Sequence, residues 1–398
     1  MRRAGWALCI MIIAGCAHVS QPALPSEANQ PAIKRSSSSS NFESLYSFKG
    51  DPDGKTPAIG ALLEVNGVLY GTTQFGGSPS SNCYPGIGCG TVYSVSAGVE
   101  TVLYRFLAPA NGLRPYGGLA DLNGTLYGTT QSGGASGEGT VFAITPSGES
   151  VIYSFAGPPD GADPRPNLTN IYGTLYGTTY YGGTSGVGTV FAITASGYEQ
   201  VLYSFQGGSD GAEPLGGLVE VNGTLYGTTL AGGTHNDGTV YAINASGGET
   251  VLHSFGKKPD GSEPFAGLVD VDGTLYGTTA DGGAHKKGTV FAITTGGSES
   301  VVYSFKGNFD SAYPHAGLTL LNGQLYGVAT NGGAANDGTI YTVAPSGGEA
   351  VLYSFSGIDG SHPYASMIGS GYTSDYTLYG TTNTGGKHSD GTVFQFTP

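Results

Sequence analysis

A segment of about fifty residues recurs seven times along this chain, and that periodicity restricts the fold more than any other feature. One copy runs from Gly216 to Phe255, GGLVEVNGTLYGTTLAGGTHNDGTVYAINASGGETVLHSF. It holds four short runs rich in Val, Leu, Tyr, Thr and Ile: Leu218–Val221, Thr224–Thr229, Thr239–Ile243 and Thr250–Phe255. Each is strand length and bounded by glycine, a β pattern rather than a helical one. Asn222-Gly223 is the dipeptide of a type I′ hairpin, in which both central residues need positive φ. Ala245-Ser246-Gly247-Gly248 turns the third run onto the fourth. One unit therefore reads as a four-stranded antiparallel meander.

The two ends of the chain are out of phase with this unit. A Leu-Tyr-Gly element places its tyrosine at Tyr70, Tyr127, Tyr176, Tyr226, Tyr276, Tyr326 and Tyr379, mostly 49 or 50 residues apart. A Tyr-Ser-Phe element or close variant ends at Phe48, Phe106, Phe155, Phe205, Phe255, Phe305 and Phe355. The chain thus opens with a fourth strand, Phe42–Phe48, and closes after a third strand, Thr392–Phe396. A ring repairs both defects, whereas an open array would leave two bare sheet edges. The expected fold is all-β: a seven-bladed β-propeller of four-stranded antiparallel blades over 42–398, closed by the N-terminal strand.

Glycine, at 71 residues, falls at fixed repeat positions and so marks turns rather than disorder. Fifteen basic against 29 acidic residues give a net charge of −14. With no Lys/Arg cluster in the repeats, nucleic acid is not an expected partner. A single soluble ring of this charge is expected to be monomeric.

The first 15 residues read as a signal peptide. Arg2 and Arg3 form a basic start, and Trp6–Ile13 is an apolar run too short to span a bilayer. The run ends in Ile13-Ala14-Gly15-Cys16, which resembles the lipobox of bacterial lipoproteins, in which the cysteine is acylated and becomes the first residue. The alternative is a plain secretory peptide cut near Ala17. The lipobox reading implies a stable membrane anchor of two or three acyl chains on Cys16. Ala17 in place of an aspartate points to the outer membrane. Residues 16–41, rich in Ser and Pro and containing Ser36–Ser40, read as a flexible tether. With Cys9 in the leader and Cys16 as the anchor, Cys83 and Cys89 remain, inside the insertion SNCYPGIGC. A close pair in an exported loop reads as a disulfide, and a metal site is disfavoured because no further Cys or His is adjacent.

The second-to-third loops and the fourth-to-first crossovers vary, and in an up-down meander both emerge on one face. A binding site belongs on that face or at the mouth of the central channel. The crossovers share Asp-Gly-x-x-Pro and carry acid pairs: Asp160 with Asp163, Asp210 with Glu213, Asp260 with Glu263. Such pairs can be acid/base couples or calcium ligands. An Asx turn ahead of a proline explains them as well, and Asp310 without an acidic partner and Asn111 in place of Asp favour the turn. His235, His285 and His388 occupy one loop position on separate blades, too spread to converge on an ion. The run from Gly283 to Thr289 has glycines spaced as in a phosphate loop but lacks its lysine and following helix. No nucleophile elbow or zinc-hydrolase motif occurs, so neither catalytic residues nor a cofactor are expected. Five tyrosines outside the repeated positions, Tyr84, Tyr116, Tyr180, Tyr181 and Tyr313, are the candidate ligand contacts.

The repeat NGTLYGTTxxGGxxxxGTVFAIT followed by ExVLYSF resembles the GloVer tandem repeat of bacterial choice-of-anchor surface proteins, and more distantly the kelch propellers. The resemblance implies an exported, envelope-attached repeat protein and supplies no catalytic residues. The expected function is a non-enzymatic binding or scaffold module with a glycan or envelope-protein ligand. A propeller-fold polysaccharide lyase or glycoside hydrolase using acids such as Asp163, Glu213 and Glu263 is the second reading, and a passive surface layer protein is the third.

Overall fold

A computed structural model of the chain describes residues 41–77, 83, 87–256, 258–371 and 376–398. The signal segment, nearly all of the tether with Cys16, and Tyr84 lie outside them. Among the described residues the only helical element is the short 3-10 turn Pro109–Asn111. Everything else regular is antiparallel strand, arranged as seven meanders.

Blade four is representative. Its strands are Val219–Val221, Thr224–Ala231, Thr239–Ile243 and Glu249–Ser254. Asn222 and Gly223 join the first two with φ of 53° and 79°, the double positive φ that a type I′ turn needs. First strands of neighbouring blades meet around the axis, and Leu63–Val65 of the first blade meets Ile368–Ser370 of the last. The fourth strand is outermost and never fully buried in this blade.

The N-terminal strand, Phe42–Ser47, is the outermost strand of the last blade. It pairs antiparallel with Thr392–Phe396, with Phe42 opposite Phe396 and Ser47 opposite Thr392. The ring is therefore closed by hydrogen bonds between the two ends of the chain, which removes both bare edges.

Packing repeats as faithfully as the strands. The phenylalanine ending each fourth strand meets the aromatic residue of the next blade's third strand edge to face, with centroids 5.0–5.4 Å apart at all seven joints, from Phe48–Tyr93 round to Phe355–Phe394. Most of these rings are wholly excluded from solvent. Each such contact adds about 0.5–1.5 kcal/mol to the area it buries.

A buried threonine ladder lies under each crossover: Thr179 Oγ1 and Thr189 Oγ1 are 2.8 Å apart in blade three. The crossover glycine sits directly over it, since a Cβ on Gly161 would come within 2.5 Å of Thr179 Cγ2. Blade six exchanges both residues together. Ala329 stands where the others have threonine, Ser311 takes the glycine's place, and its Oγ reaches Thr339 Oγ1 at 2.7 Å. The hydroxyl has moved from the strand to the crossover, and the buried bond is kept.

Candidate binding site at the channel mouth

The crossover builds the site in three steps. First, the aspartate folds the turn: Asp160 accepts from the Ala156 and Gly161 N–H groups at 2.8 and 2.6 Å, and from Tyr153 Oη at 2.9 Å. Second, the residue before the proline adopts a left-handed conformation in every blade: Thr56, Arg114, Asp163, Glu213, Glu263, Tyr313 and His362, with φ between 53° and 60°. That costs a residue with a side chain about 1–2 kcal/mol. A bond to the preceding blade offsets it, because each of these N–H groups donates to a second-to-third loop carbonyl, as Asp163 does to Glu138 and Glu213 to Val187, both at 2.8 Å. Third, the proline packs against the glycine opening the preceding blade's third strand, Pro164 against Gly139 and Pro264 against Gly238. The next residue is thereby aimed at the axis.

Five of those following residues, with the short segments after the prolines, line a cavity of about 240 Å³ at the channel mouth. Ile59, Arg165, Leu215, Phe265, His315 and Tyr364 supply its side-chain lining, with Asn167 and Ser366 behind them. Glycines, alanines and Leu218, Leu268 and Leu318 make up most of the remaining wall, and neighbouring blades touch tightly beside it: a Cβ on Gly117 would lie 2.5 Å from Pro166 O.

The polar groups are fixed before any ligand arrives. Arg165 makes two bonds to Asp163, Nε to Oδ1 at 3.0 Å and a terminal nitrogen to Oδ2 at 2.7 Å. Its guanidinium lies 3.9 Å from the centroid of Tyr180 and 5.4 Å from that of Tyr116. Burial works against its charge, yet the Asp163 carboxylate holds it protonated above the usual arginine range. His315 packs on Phe265 and Tyr364, each 4.9 Å away between centroids. Burial pushes its pKa down, so the ring is neutral at neutral pH. Nδ1 lies 3.0 Å from Tyr313 O. A carbonyl only accepts, so Nδ1 carries the hydrogen and Nε2 is left as an acceptor. Burial also keeps Tyr364 in its phenol form.

The tyrosines singled out from sequence divide. Tyr116 and Tyr180 sandwich Arg165, and Tyr180 is buried with its Oη donating to Glu213 at 2.6 Å. Tyr181 is 47% exposed and packs edge on against Tyr180. Tyr313 sits under Lys287, whose Nζ is 2.6 Å from Tyr313 Oη. The crossover acids also have separate duties. Asp160 and Asp210 fold their turns, whereas Asp163 holds Arg165 and Glu213 holds Tyr180. His235, His285 and His388 are exposed loop residues. Cys83 and Cys89 are joined, with Cα atoms 5.3 Å apart, and Cys89 O accepts from Arg114 N at 2.8 Å, which docks the insertion onto the crossover into blade two. Among the described residues, only His253, Asp260 and Glu299 bring three metal-capable donors together. His253 Nε2 is already spent on Asp260 at 3.0 Å.

Phe265, His315, Tyr364, Arg165 and Asn167 are absent from the sequence-derived candidates. All but Asn167 occupy the position after the crossover proline, where residue type changes from blade to blade.

Similar solved structures share the fold. Virginiamycin B lyase from Staphylococcus aureus matches with a TM-score of 0.56 at 15% identity, over 86% of this chain and 95% of that one. A puromycin-hydrolyzing peptidase of Mycobacterium tuberculosis matches with a TM-score of 0.50 at 12% identity, over 82% of this chain and 50% of that one, so the chain spans about half its length. No curated protein matches. The sequence model of the Gloeobacter/Verrucomicrobia repeat matches three times, over residues 27–191, 80–284 and 250–398. The chain is a propeller that belongs to the Gloeobacter/Verrucomicrobia repeat family.

Proposed function

We propose that this protein is an envelope-attached recognition module that holds a neutral sugar unit of a glycan at the channel mouth without converting it. One observation carries the reading. The same backbone position in five blades aims five different side chains, Arg165, Leu215, Phe265, His315 and Tyr364, at one small cavity, with Ile59 beside them. A constant scaffold with variable side chains converging on a concavity is the arrangement of a binding site. Tyr364 and Phe265 offer ring faces, and His315 Nε2 offers an acceptor for a hydroxyl. Arg165 is already neutralised by Asp163, which favours an uncharged ligand over an anion. Tyr116 and Tyr180 act here as positioning residues for Arg165, and Tyr181 and Tyr313 extend the surface around the mouth. The attachment is acylation of Cys16, with 16–41 as the tether. The Ile13-Ala14-Gly15-Cys16 run after a basic start supports it.

Two experiments test the reading. Calorimetric titration of the chain lacking residues 1–16 against neutral and acidic oligosaccharides should find binding, weakened about 5- to 30-fold by Tyr364→Ala. No binding to any neutral glycan sinks the recognition reading. Release of product that disappears in His315→Ala would replace it with the lyase or hydrolase reading. Separately, Cys16→Ser should move the protein out of the membrane fraction, and an unchanged partition would remove the anchor.

A further inference from the structure

The joints between blades hold a second recurrent device on their outer side. Five of the seven set the tyrosine or histidine of one fourth strand, the crossover aspartate after it and the glutamate opening the next blade's fourth strand side by side. Tyr46 donates to Asp53 at 2.6 Å, Tyr203 to Asp210 at 3.0 Å and Tyr303 to Asp310 at 3.0 Å. His253, Asp260 and Glu299 have their donor atoms within 4.8 Å of one another. Glu349 reaches Ser311, the neighbour of Asp310, at 3.0 Å. Asp260 and Glu299 thereby stand together, and like-charge repulsion couples the same two positions at four more joints: Asp53 with Glu100, Asp160 with Glu199, Asp210 with Glu249 and Asp310 with Glu349. Glu100, Glu199, Glu249 and Glu299 each leave Oε1 buried with no hydrogen-bond partner.

The other two joints avoid the second acid. Between blades one and two, Asn111 stands in the aspartate's place and its Nδ2 donates to Glu149 Oε2 at 2.7 Å, though Glu149 Oε1 is unpaired like the others. Between blades six and seven, Phe42 fills the glutamate's place and stacks on Tyr353, with centroids 4.1 Å apart. An amide or a ring supplies there what a proton must supply elsewhere.

We propose that the five carboxyl pairs are proton-binding sites, each holding one shared proton that keeps neighbouring blades together, so that the ring is tightest in mildly acidic surroundings and slackens as the medium turns alkaline. Two carboxylates in partly buried contact cannot both ionise cheaply. Burial first, and the neighbouring aspartate second, push Glu100, Glu199 and Glu249 up to about 7 and Glu349 up to about 8. The groups facing the pairs differ. Lys49, Arg105, Tyr46 and Tyr93 face the first, and Tyr153 the second. Tyr203 and Tyr241 face the third, His253 the fourth, and Lys306, Tyr303 and Tyr341 the fifth. Cations therefore oppose the effect at the first and fifth joints, and a protonated His253 opposes it at the fourth. The second and third joints should respond most.

The sign follows from linkage. A glutamate that binds its proton more tightly folded than unfolded contributes stability in full below about pH 4.3, its unfolded value, and loses it as pH rises through about 7. The test is the melting temperature of the chain lacking residues 1–16 from about pH 5 to about pH 9, beside the Glu199→Gln/Glu249→Gln double variant, which copies the amide solution of Asn111. The parent should lose several degrees as pH rises, and the variant should lose fewer and melt higher at the alkaline end. Equal slopes would overturn the proposal. So would restoration of the parent's alkaline melting temperature by millimolar calcium, which would make the pairs cation sites. Should the variant fail to fold, an infrared titration of the native parent decides: a protonated carboxyl band at about pH 6 supports shared protons, and its absence refutes them.

Discussion

The joints between blades and the mouth of the channel are built from the same repeat, yet they treat sequence in opposite ways. At the joints the residues recur, phenylalanine against phenylalanine or tyrosine at all seven contacts. At the mouth, equivalent backbone carries an arginine, a leucine, a phenylalanine, a histidine and a tyrosine at 165, 215, 265, 315 and 364. A joint residue has another copy of the repeat as its partner, so its aromatic ring is kept at every joint, with only the Phe-to-Tyr exchange allowed. A mouth residue faces the channel and has no partner that the repeat dictates. Stability is therefore written in what recurs, and the proposed recognition would be written in what does not.

The harshest way to break this division is to remove one partner of the ring closure. Deleting Phe42–Ser47 strips the last blade of its outermost strand and exposes the edge of Thr392–Phe396. It also removes Phe42 from the packing of Phe355 and Phe394. We expect the melting temperature to fall by more than about 10 °C and the protein to self-associate through the bare edge. A monomer with the parent's melting temperature would show that the ring does not depend on closure.

A subtler comparison sets Phe255→Ala against Phe265→Ala, the same substitution ten residues apart. Phe255 is wholly buried and meets Phe291 at 5.1 Å across a joint. Its loss should cost about 3–5 kcal/mol by denaturant unfolding. Phe265 is only partly buried and meets His315 at the mouth. Its loss should cost about 1 kcal/mol or less while weakening ligand. Equal costs would make the mouth part of the core and leave the proposed binding site without its basis.

How much of this could be read beforehand follows the same line. The strands, the hairpin at Asn222-Gly223 and the closure by Phe42–Ser47 were legible because period and phase state them directly. The Cys83–Cys89 bridge was legible from the close spacing of two cysteines in an insertion containing Pro and Gly. The second strand of blade four runs to Ala231, two residues beyond the hydrophobic run, because loop residues continue the ladder once the crossover pairs with it. The left-handed residue before each proline gave no sign, since Asp163, Glu213 and Tyr313 are not residues that advertise positive φ. The carboxyl pairs were hidden for a different reason. Asp160 and Glu199 belong to successive repeats, and only the ring brings them together. Tyr180 was noticed for standing outside the repeat, but its duty is inward, beneath Arg165 and against Glu213.

The smallest expected effect tests whether every joint uses all the atoms it has. Four third strands place phenylalanine at the joint, Phe142, Phe191, Phe291 and Phe394, while three place Tyr93, Tyr241 and Tyr341. All three tyrosines are fully buried, and none of their hydroxyls has a hydrogen-bond partner. Each lies over the glycine of its own second strand, Gly71, Gly227 or Gly327. Burial pushes all three pKa values far up, so the groups stay as neutral hydroxyls. An unsatisfied buried hydroxyl costs about 1–3 kcal/mol, and phenylalanine is already accommodated at the same place in the other four blades. Tyr93→Phe, Tyr241→Phe and Tyr341→Phe should therefore each leave stability unchanged or raise it by up to about 1 kcal/mol. The gain falls short of the full penalty because removing the oxygen leaves a small void. The measurement is the denaturant midpoint at constant slope, which separates stability from a change in the unfolded state. A loss of about 1 kcal/mol or more in any one would mean that its hydroxyl has a partner, such as an ordered water in the blade, and that the joints are less uniform than their rings suggest.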